Sequence, residues 1–231
     1  MPESLLIESL SEFDTPTICN AIEVIAPDRR THGFTTKPFL CHDPSLPPIV
    51  GYARTATIRA TAPSGRSKAE DLSTRIGYFR HIAEAPGPTV TVIEDIDEQV
   101  GFGAHWGEVN SNLHKGLGSV GVITNGSIRD ADMWAEGFGA LAGFYSPSHA
   151  WVHVVDYAIP VTVHGMTVSP GDIIHADRHG AVVVPSSAVT AIADTVKRLE
   201  TAEAKLIEPS QQPEFNIEQL ITILDPDGRD H

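Results

Sequence analysis

Strand-like and helix-like stretches alternate along the first half of this chain, then give way to clustered short β segments and one long amphipathic helix. That order limits the fold more than any other feature. The opening, residues 5–25, places apolar side chains at Leu5, Ile7, Leu10, Ile18 and Ile22. Its phase breaks at Asp14-Thr15-Pro16, where Asp or Thr caps a second helix and Pro starts it. Residues 26–48, rich in Pro, Gly, His and Thr, read as an irregular excursion and an insertion. A strand is expected over 49–61, a helix over 69–83 and a second strand over 88–95. After a glycine-rich loop at 101–107 come a short helix over 108–115 and a buried-type strand over 118–124, turned by Asn125-Gly126. Arg129-Asp130 is expected to open a helical stretch to Glu136. Short β segments follow at 140–145, 159–163, 173–176 and 181–184, separated by turns at 169–172 and 177–180. A helix over about 187–207 carries Val189, Ile192, Val196 and Leu199 on one stripe. The tail after about 209 reads as loose. Such an order predicts mixed α/β layers, not a doubly wound nucleotide fold. With no repeat, low-complexity block or linker, residues 1–231 read as one domain.

Hydrophobic residues make up 41% of the chain and charged residues 20%, enough for a sizeable core, so disorder is excluded for most of it. Sixteen Lys+Arg against thirty Asp+Glu leave a net charge of −14. A phosphate-backbone binder needs clustered cations, so no nucleic-acid partner is expected. An enzyme for small acids stays open, because one placed arginine reverses the local field. No apolar run reaches membrane-spanning length, and the start, MPESLLIESLSEFDTP, lacks a basic n-region. No membrane partner and a cytoplasmic location are expected. Cys19 and Cys41 are too few for a disulfide framework and lack CxxC spacing, although one disulfide between them stays open.

Familiar motifs are missing. Gly101-x-Gly103-x-x-x-Gly107 is not GxGxxG, and neither GxxxxGK[ST] nor GxSxG occurs. The eleven histidines are scattered. His149 and His153 lie four apart without HExxH, and they read as satisfied or solvated surface groups, as do His175 and His179.

One constellation stands out: Glu108, twenty residues, then Arg129-Asp130. If this pair stands where the 118–124 strand ends and a helix begins, its carboxylate can ligate a hard cation while the guanidinium forks onto a substrate carboxylate. Backbone N–H groups of Gly107, Glu108, Val109 and Asn110, at a helix start, would hold other anionic oxygens. Glu108 is then placed to move a proton or orient water. The plainer alternative is an exposed Arg-Asp pair worth little.

From Gly107 to Pro185 the chain resembles the RraA-like family, which includes 4-hydroxy-4-methyl-2-oxoglutarate aldolases, oxaloacetate decarboxylases and the regulator of ribonuclease activity A. The resemblance rests on Gly107-Glu108, then Gly118-Ser-Val-Gly121-Val-Ile-Thr-Asn-Gly126-Ser-Ile-Arg129-Asp130. It continues through Gly165-Met-Thr-Val-Ser-Pro170-Gly171-Asp172 and Asp177-Arg-His-Gly180-Ala-Val-Val-Val-Pro185. Thr15-Pro-Thr-Ile-Cys-Asn20-Ala-Ile22 is similar to the family's opening segment. Asn125 and Asn20 stand where the family usually has Asp, and Glu108 where many aldolases have Asp. Asn125 is expected to keep its turn by tolerating positive φ.

The resemblance implies a single mixed α/β layered domain of the swivelling β/β/α type with a long C-terminal helix. It also implies a divalent-metal-dependent aldolase or decarboxylase, a carbon–carbon lyase that cleaves a 2-keto acid through pyruvate enolate. The substrate would be of the 4-hydroxy-4-methyl-2-oxoglutarate type, oxaloacetate, or both. Asp130 would be the direct ligand of Mg²⁺ or Mn²⁺, Arg129 and Glu108 catalytic, and Gly107, Glu108, Val109, Asn110 and Arg129 substrate-binding. The family forms homotrimers or homohexamers in which a neighbour's C-terminal acidic residue, here Glu200, Glu203 or Glu208, reaches the site. Two alternatives remain: a non-catalytic regulator docking on a basic partner, and a related lyase or hydratase for a larger aromatic- or sugar-derived acid. Asp172 and Asp177 read as turn residues and Trp106 as core.

Overall fold

The computed structural model describes residues 3–84 and 87–225. Two helices, α1 (Glu3–Ser9) and α2 (Thr15–Ile25), occupy the N-terminal segment. Asp14 separates them as anticipated: its side chain accepts the Thr17 N–H at 2.9 Å, and Pro16 sits in the first turn. The excursion at 26–48 reaches both edges of the main sheet. Phe34 bridges to Val182 at one edge, and β1 (Leu40–Cys41) pairs with residues 141–142 at the other.

Next come β2 (Ile49–Arg59), α3 (Lys68–Ala83) and β3 (Thr89–Asp95), close to their expected bounds. A capping box between Ser67 and Glu70 starts α3. The glycine-rich loop holds an unforeseen strand, β4 (Ala104–Trp106), ahead of α4 (Glu108–Gly116) and β5 (Ser119–Thr124). Short strands follow: β6 (Ser127–Ile128), β7 (Gly139–Ala142), β8 (Phe144–Tyr145), β9 (His153–Tyr157), β10 (Val161–Val163), β11 (Met166–Val168), β12 (Ile173–Asp177) and β13 (Gly180–Val184). The long helix α5 (Val189–Ser210) comes next. In the tail expected to be loose, Asn216 and Gln219 form a capping box that starts α6 (Ile217–Leu224).

The main sheet runs β1-β7-β5-β3-β2-β12-β13, with β9 also on β2. Its centre, β2-β3-β5-β7, is parallel, and the β1, β9, β12 and β13 pairings are antiparallel. Both faces are covered, which explains the near-continuous apolar runs. On β3, Val90 and Val92 face the β10–β11 hairpin cluster, while Ile93 joins Tyr78, Ile82, Trp106 and Phe138. A third cluster buries Ile18 and Ile22 of α2 with Val189, Ile192 and Val196 of α5 against Val50, Ile173, Val182 and Val184. The result is one mixed α/β domain with a long C-terminal helix. No helix among the described residues is long and apolar enough to cross a membrane.

Cys19 and Cys41 are both free thiols. Burial pushes the Cys19 thiol up to about 11, so it carries little thiolate. His175 overturns its surface reading: fully buried, it meets Thr15 Oγ1 at 3.0 Å and the carbonyls of Leu10 and Phe13 at 3.1 and 3.0 Å. It pins the N-terminal segment to β12. Asp172 and Asp177 do act in turns, accepting the N–H groups of Ser169 and His179 at 2.7 and 2.8 Å.

Candidate active site

β6 lies between β4 and β8 in a small parallel sheet. Arg129 extends that pairing by one residue, its N–H donating to Trp106 O at 2.9 Å. The chain then turns at Asp130, which has φ +54°, a left-handed conformation that Asp tolerates better than most residues. The expected helix over 129–136 does not form. A left-handed second residue ends the helical path, and a single turn is closed instead by Met133 N–H on Asp130 O at 2.9 Å and Trp134 Nε1–H on Arg129 O at 2.7 Å. Arg129-Asp130 therefore lies in a loop after β6, not at a helix start directly after β5.

The same turn brings the Asp130 carboxylate to the start of α4. Asp130 Oδ2 accepts the Glu108 N–H at 3.3 Å and lies 3.4 Å from Arg129 Nε. Both contacts are long, so this oxygen is held in place loosely. The side chains of Arg129 and Asp130 are 35% and 27% exposed, which keeps both within reach of a ligand. Gly107 caps α4 with an extended backbone and no side-chain bond. Its carbonyl accepts the Ser111 N–H at 3.0 Å, so the N–H groups of Val109 and Asn110 belong to the unpaired first turn at the positive end of the helix.

Behind this turn lies a buried polar relay. His114 Nδ1 is 2.6 Å from Asn110 O, and Tyr78 Oη is 2.6 Å from His114 Nε2. A carbonyl only accepts, so Nδ1 carries the proton and Nε2 accepts from the tyrosine hydroxyl. Burial pushes His114 down to about 4, keeping it neutral, and raises the Tyr78 hydroxyl. The relay ties α3 to α4 beneath the site.

Asn125 does not take the positive φ expected for it. Its side chain instead bridges to the end of β3, accepting the Asp95 N–H at 2.8 Å and donating to Asp95 O at 2.9 Å. An ionised Asp could not donate, which gives the Asn a structural reason.

A cleft of about 470 Å³ opens beside α4. Gly107, Val109, Asn110 and Arg129 line it, so four of the six residues anticipated from sequence share one wall. Glu108 and Asp130 sit next to that wall without lining the cleft, and the Glu108 side chain is exposed. Sequence reading missed the rest of the lining: Arg66, Arg75, Tyr78 and Phe79 from α3 and its lead-in, with His105. His149 and His153, expected to be plain surface, also line it. No spacing signal links these residues, which the fold alone brings together. Trp106 is fully buried and stacks with Phe138, as a core residue should.

Among the described residues no group of three or more His, Cys, Asp or Glu gathers as a metal cage. What the site offers is the partly exposed Asp130 carboxylate, an all-oxygen donor. That donor set fits Mg²⁺ or Mn²⁺, which retain water ligands, and does not fit Zn²⁺.

A family model described as RraA-like, Aldolase/RraA, matches residues 15–183. An uncharacterized protein of Methanocaldococcus jannaschii is 30% identical over 119 residues, 49% of this chain and 57% of its own length. The chain thus spans little more than half the length of that curated relative. RraAS2 of Streptomyces coelicolor, described as an unusual member of the RNase ES inhibitor RraA protein family, superposes with a TM-score of 0.67. It is 24% identical and covers 87% of this chain and 95% of its own. An uncharacterized protein from Pseudomonas syringae pv. tomato gives the same TM-score at 18% identity, covering 94% and 93%.

Proposed function

The chain belongs to the RraA-like family, and from that premise we propose that it is a carbon–carbon lyase that cleaves a 2-keto acid with the aid of Mg²⁺ or Mn²⁺. The observation that carries the reading is the left-handed turn that sets Asp130 against the start of α4, with Arg129 on the cleft wall beside it. Arg129 offers a fork to the substrate carboxylate. The first-turn N–H groups of Val109 and Asn110 offer fixed donors to its remaining oxygens. A metal held by Asp130 and waters would polarise the 2-keto oxygen.

In aldol cleavage the bond between C3 and C4 breaks, and its electron pair passes into the pyruvate enolate. The C4 hydroxyl loses its proton as it becomes the carbonyl of the second product. Decarboxylation of oxaloacetate leaves the same enolate and releases carbon dioxide. Glu108, exposed at the helix start, is the group we assign to move the proton through water. Arg129 neutralises negative charge as it develops. We further assign a cytoplasmic homotrimer or homohexamer, in which Glu200, Glu203 or Glu208 of a neighbouring copy completes the site.

A second reading is favoured by the net charge of −14 and by the fold likeness to a protein described as an RNase ES inhibitor family member. It is a non-catalytic regulator whose acidic surface docks on a basic partner segment. Pyruvate release from oxaloacetate, measured with Mg²⁺ or Mn²⁺ and then with excess EDTA, separates the two. The lyase reading expects turnover that EDTA removes and Asp130→Ala abolishes. No turnover above the metal-only rate, on oxaloacetate and on hydroxylated 2-keto acids alike, sinks it in favour of the regulator.

A further inference from the structure

The lining of the cleft is unusual for so acidic a chain. Among the described residues three arginines line the cleft, and Asp71 is the only carboxylate in its lining. Arg66 is fully committed: its Nε lies 2.9 Å from Asp71 Oδ1, and its terminal nitrogens reach Thr74 Oγ1 and the carbonyls of Val154 and Val155. Arg129 is paired with its own neighbour, Asp130. Arg75 has no carboxylate within 4.0 Å among the described residues. Its guanidinium carbon stands 5.7 Å over the Phe79 ring, an aromatic contact that holds the charge without neutralising it.

His105 provides a second, independent observation. It lines the same cleft, and its Nε2 is buried with no hydrogen-bond partner among the described residues. Such an atom costs free energy unless something meets it. Burial, His114 and the nearby positive charge of Arg75 push the ring down to about 3, so it stays a neutral donor or acceptor.

We propose that Arg75, with His105 beside it, forms a subsite that selects a second carboxylate on the substrate, at the end remote from its 2-keto acid group. This rests on the 2-keto acid reading of Arg129 and the α4 start. A cleft of about 470 Å³ has room for such an extended dianion, since ligand pockets run from roughly 300 to 1,000 Å³. An extended acid with its keto end at Arg129 would set its far end at Arg75, which lines the same cleft. A neutral or purely apolar far end leaves both the Arg75 charge and the His105 nitrogen unmatched, and that is how the subsite discriminates.

Equilibrium binding of two unreactive probes of equal length tests this without turnover. 2-Oxoglutarate carries a terminal carboxylate, and 2-oxopentanoate carries a methyl in its place. The wild type should bind 2-oxoglutarate at least about tenfold more tightly. Arg75→Met should erase the difference while leaving 2-oxopentanoate binding unchanged, and Arg75→Lys should restore part of it. Equal affinities in the wild type, or a preference that survives Arg75→Met, overturns the subsite. Because Arg75 is exposed on a helix, loss of folding is not expected, and a matching thermal melt checks this. If the protein cleaves no 2-keto acid yet keeps an Arg75-dependent preference for the dianion, the lyase reading fails and the subsite stands. Should cleavage occur with no such preference, the reverse holds.

Discussion

The Asp130 carboxylate lies so close over Gly107 that a Cβ there would stand 2.5 Å from its Oδ2. Glycine at this helix start is therefore a requirement of the approach itself, since the Gly107 φ of −176° is open to any residue. Gly107→Ala should push the carboxylate aside. We expect divalent-metal affinity and kcat/KM to fall by about 10- to 100-fold, as when a ligand's support is lost. Unfolding free energy should change by less than about 1 kcal/mol, because Asp130 is partly exposed and free to move. Unchanged kinetics would disconnect Asp130 from the reaction.

Tyr78→Phe removes the only donor that His114 Nε2 has among the described residues and leaves that nitrogen buried. An orphaned buried acceptor costs about 1–3 kcal/mol, read from the midpoint of urea unfolding. A loss below about 0.5 kcal/mol would mean that water or a rotated ring replaces the tyrosine.

Stability should fall in acid. His114 titrates near 6.5 when unfolded and near 4 when buried. Between those values the unfolded chain binds more protons, so the stabilisation is complete above pH 6.5 and is lost as pH falls toward 4. The span is on the order of 3 kcal/mol for this residue. His105, pushed down to about 3, acts in the same direction. Urea midpoints taken every half unit of pH should show this slope, and His114→Gln should flatten it. A slope unaffected by the substitution would assign the loss to other groups.

Asn125→Asp would convert the turn to the form more usual in the family. It also removes the amide that donates to Asp95 O and sets a carboxylate near the buried Asp95, whose own acid is already pushed up by burial. We expect a cost of about 1–3 kcal/mol at pH 7 that shrinks as pH is lowered and one of the pair takes a proton. A variant as stable as wild type at pH 7 would show that the Asp95 loop adapts.

Period and punctuation made much of this architecture legible from sequence. Asp14-Thr15-Pro16 marks the start of α2, and β3 buries Val90 and Val92 on one face and Ile93 on the other because both faces are covered. The stripe on α5 found the core it promised: Val189, Ile192 and Val196 are buried, and Leu199 is partly so. Local patterning read well because each of these signals is complete within a few residues. The Arg129-Asp130 pair and the 107–110 turn were also visible, through spacing and resemblance.

What chain order could not express is distance across the fold. The helix expected at 129–136 yields to a left-handed Asp130, because a long-range contact with the start of α4 rewards a backbone that local propensity disfavours. His175 looked like a surface residue until β12 carried it beneath the N-terminal helices. Arg75 lies 54 positions before Arg129 with nothing between them to link the two. They face one cleft only because α3 and the β6–β7 loop pack on the same side of the sheet. Sequence by itself determined most of the longer elements, their order, and Glu108, Arg129 and Asp130 as the candidate site residues. Tertiary structure alone decided which charges meet across a cavity, since close approach through space depends on how whole elements pack together and not on separation along the chain.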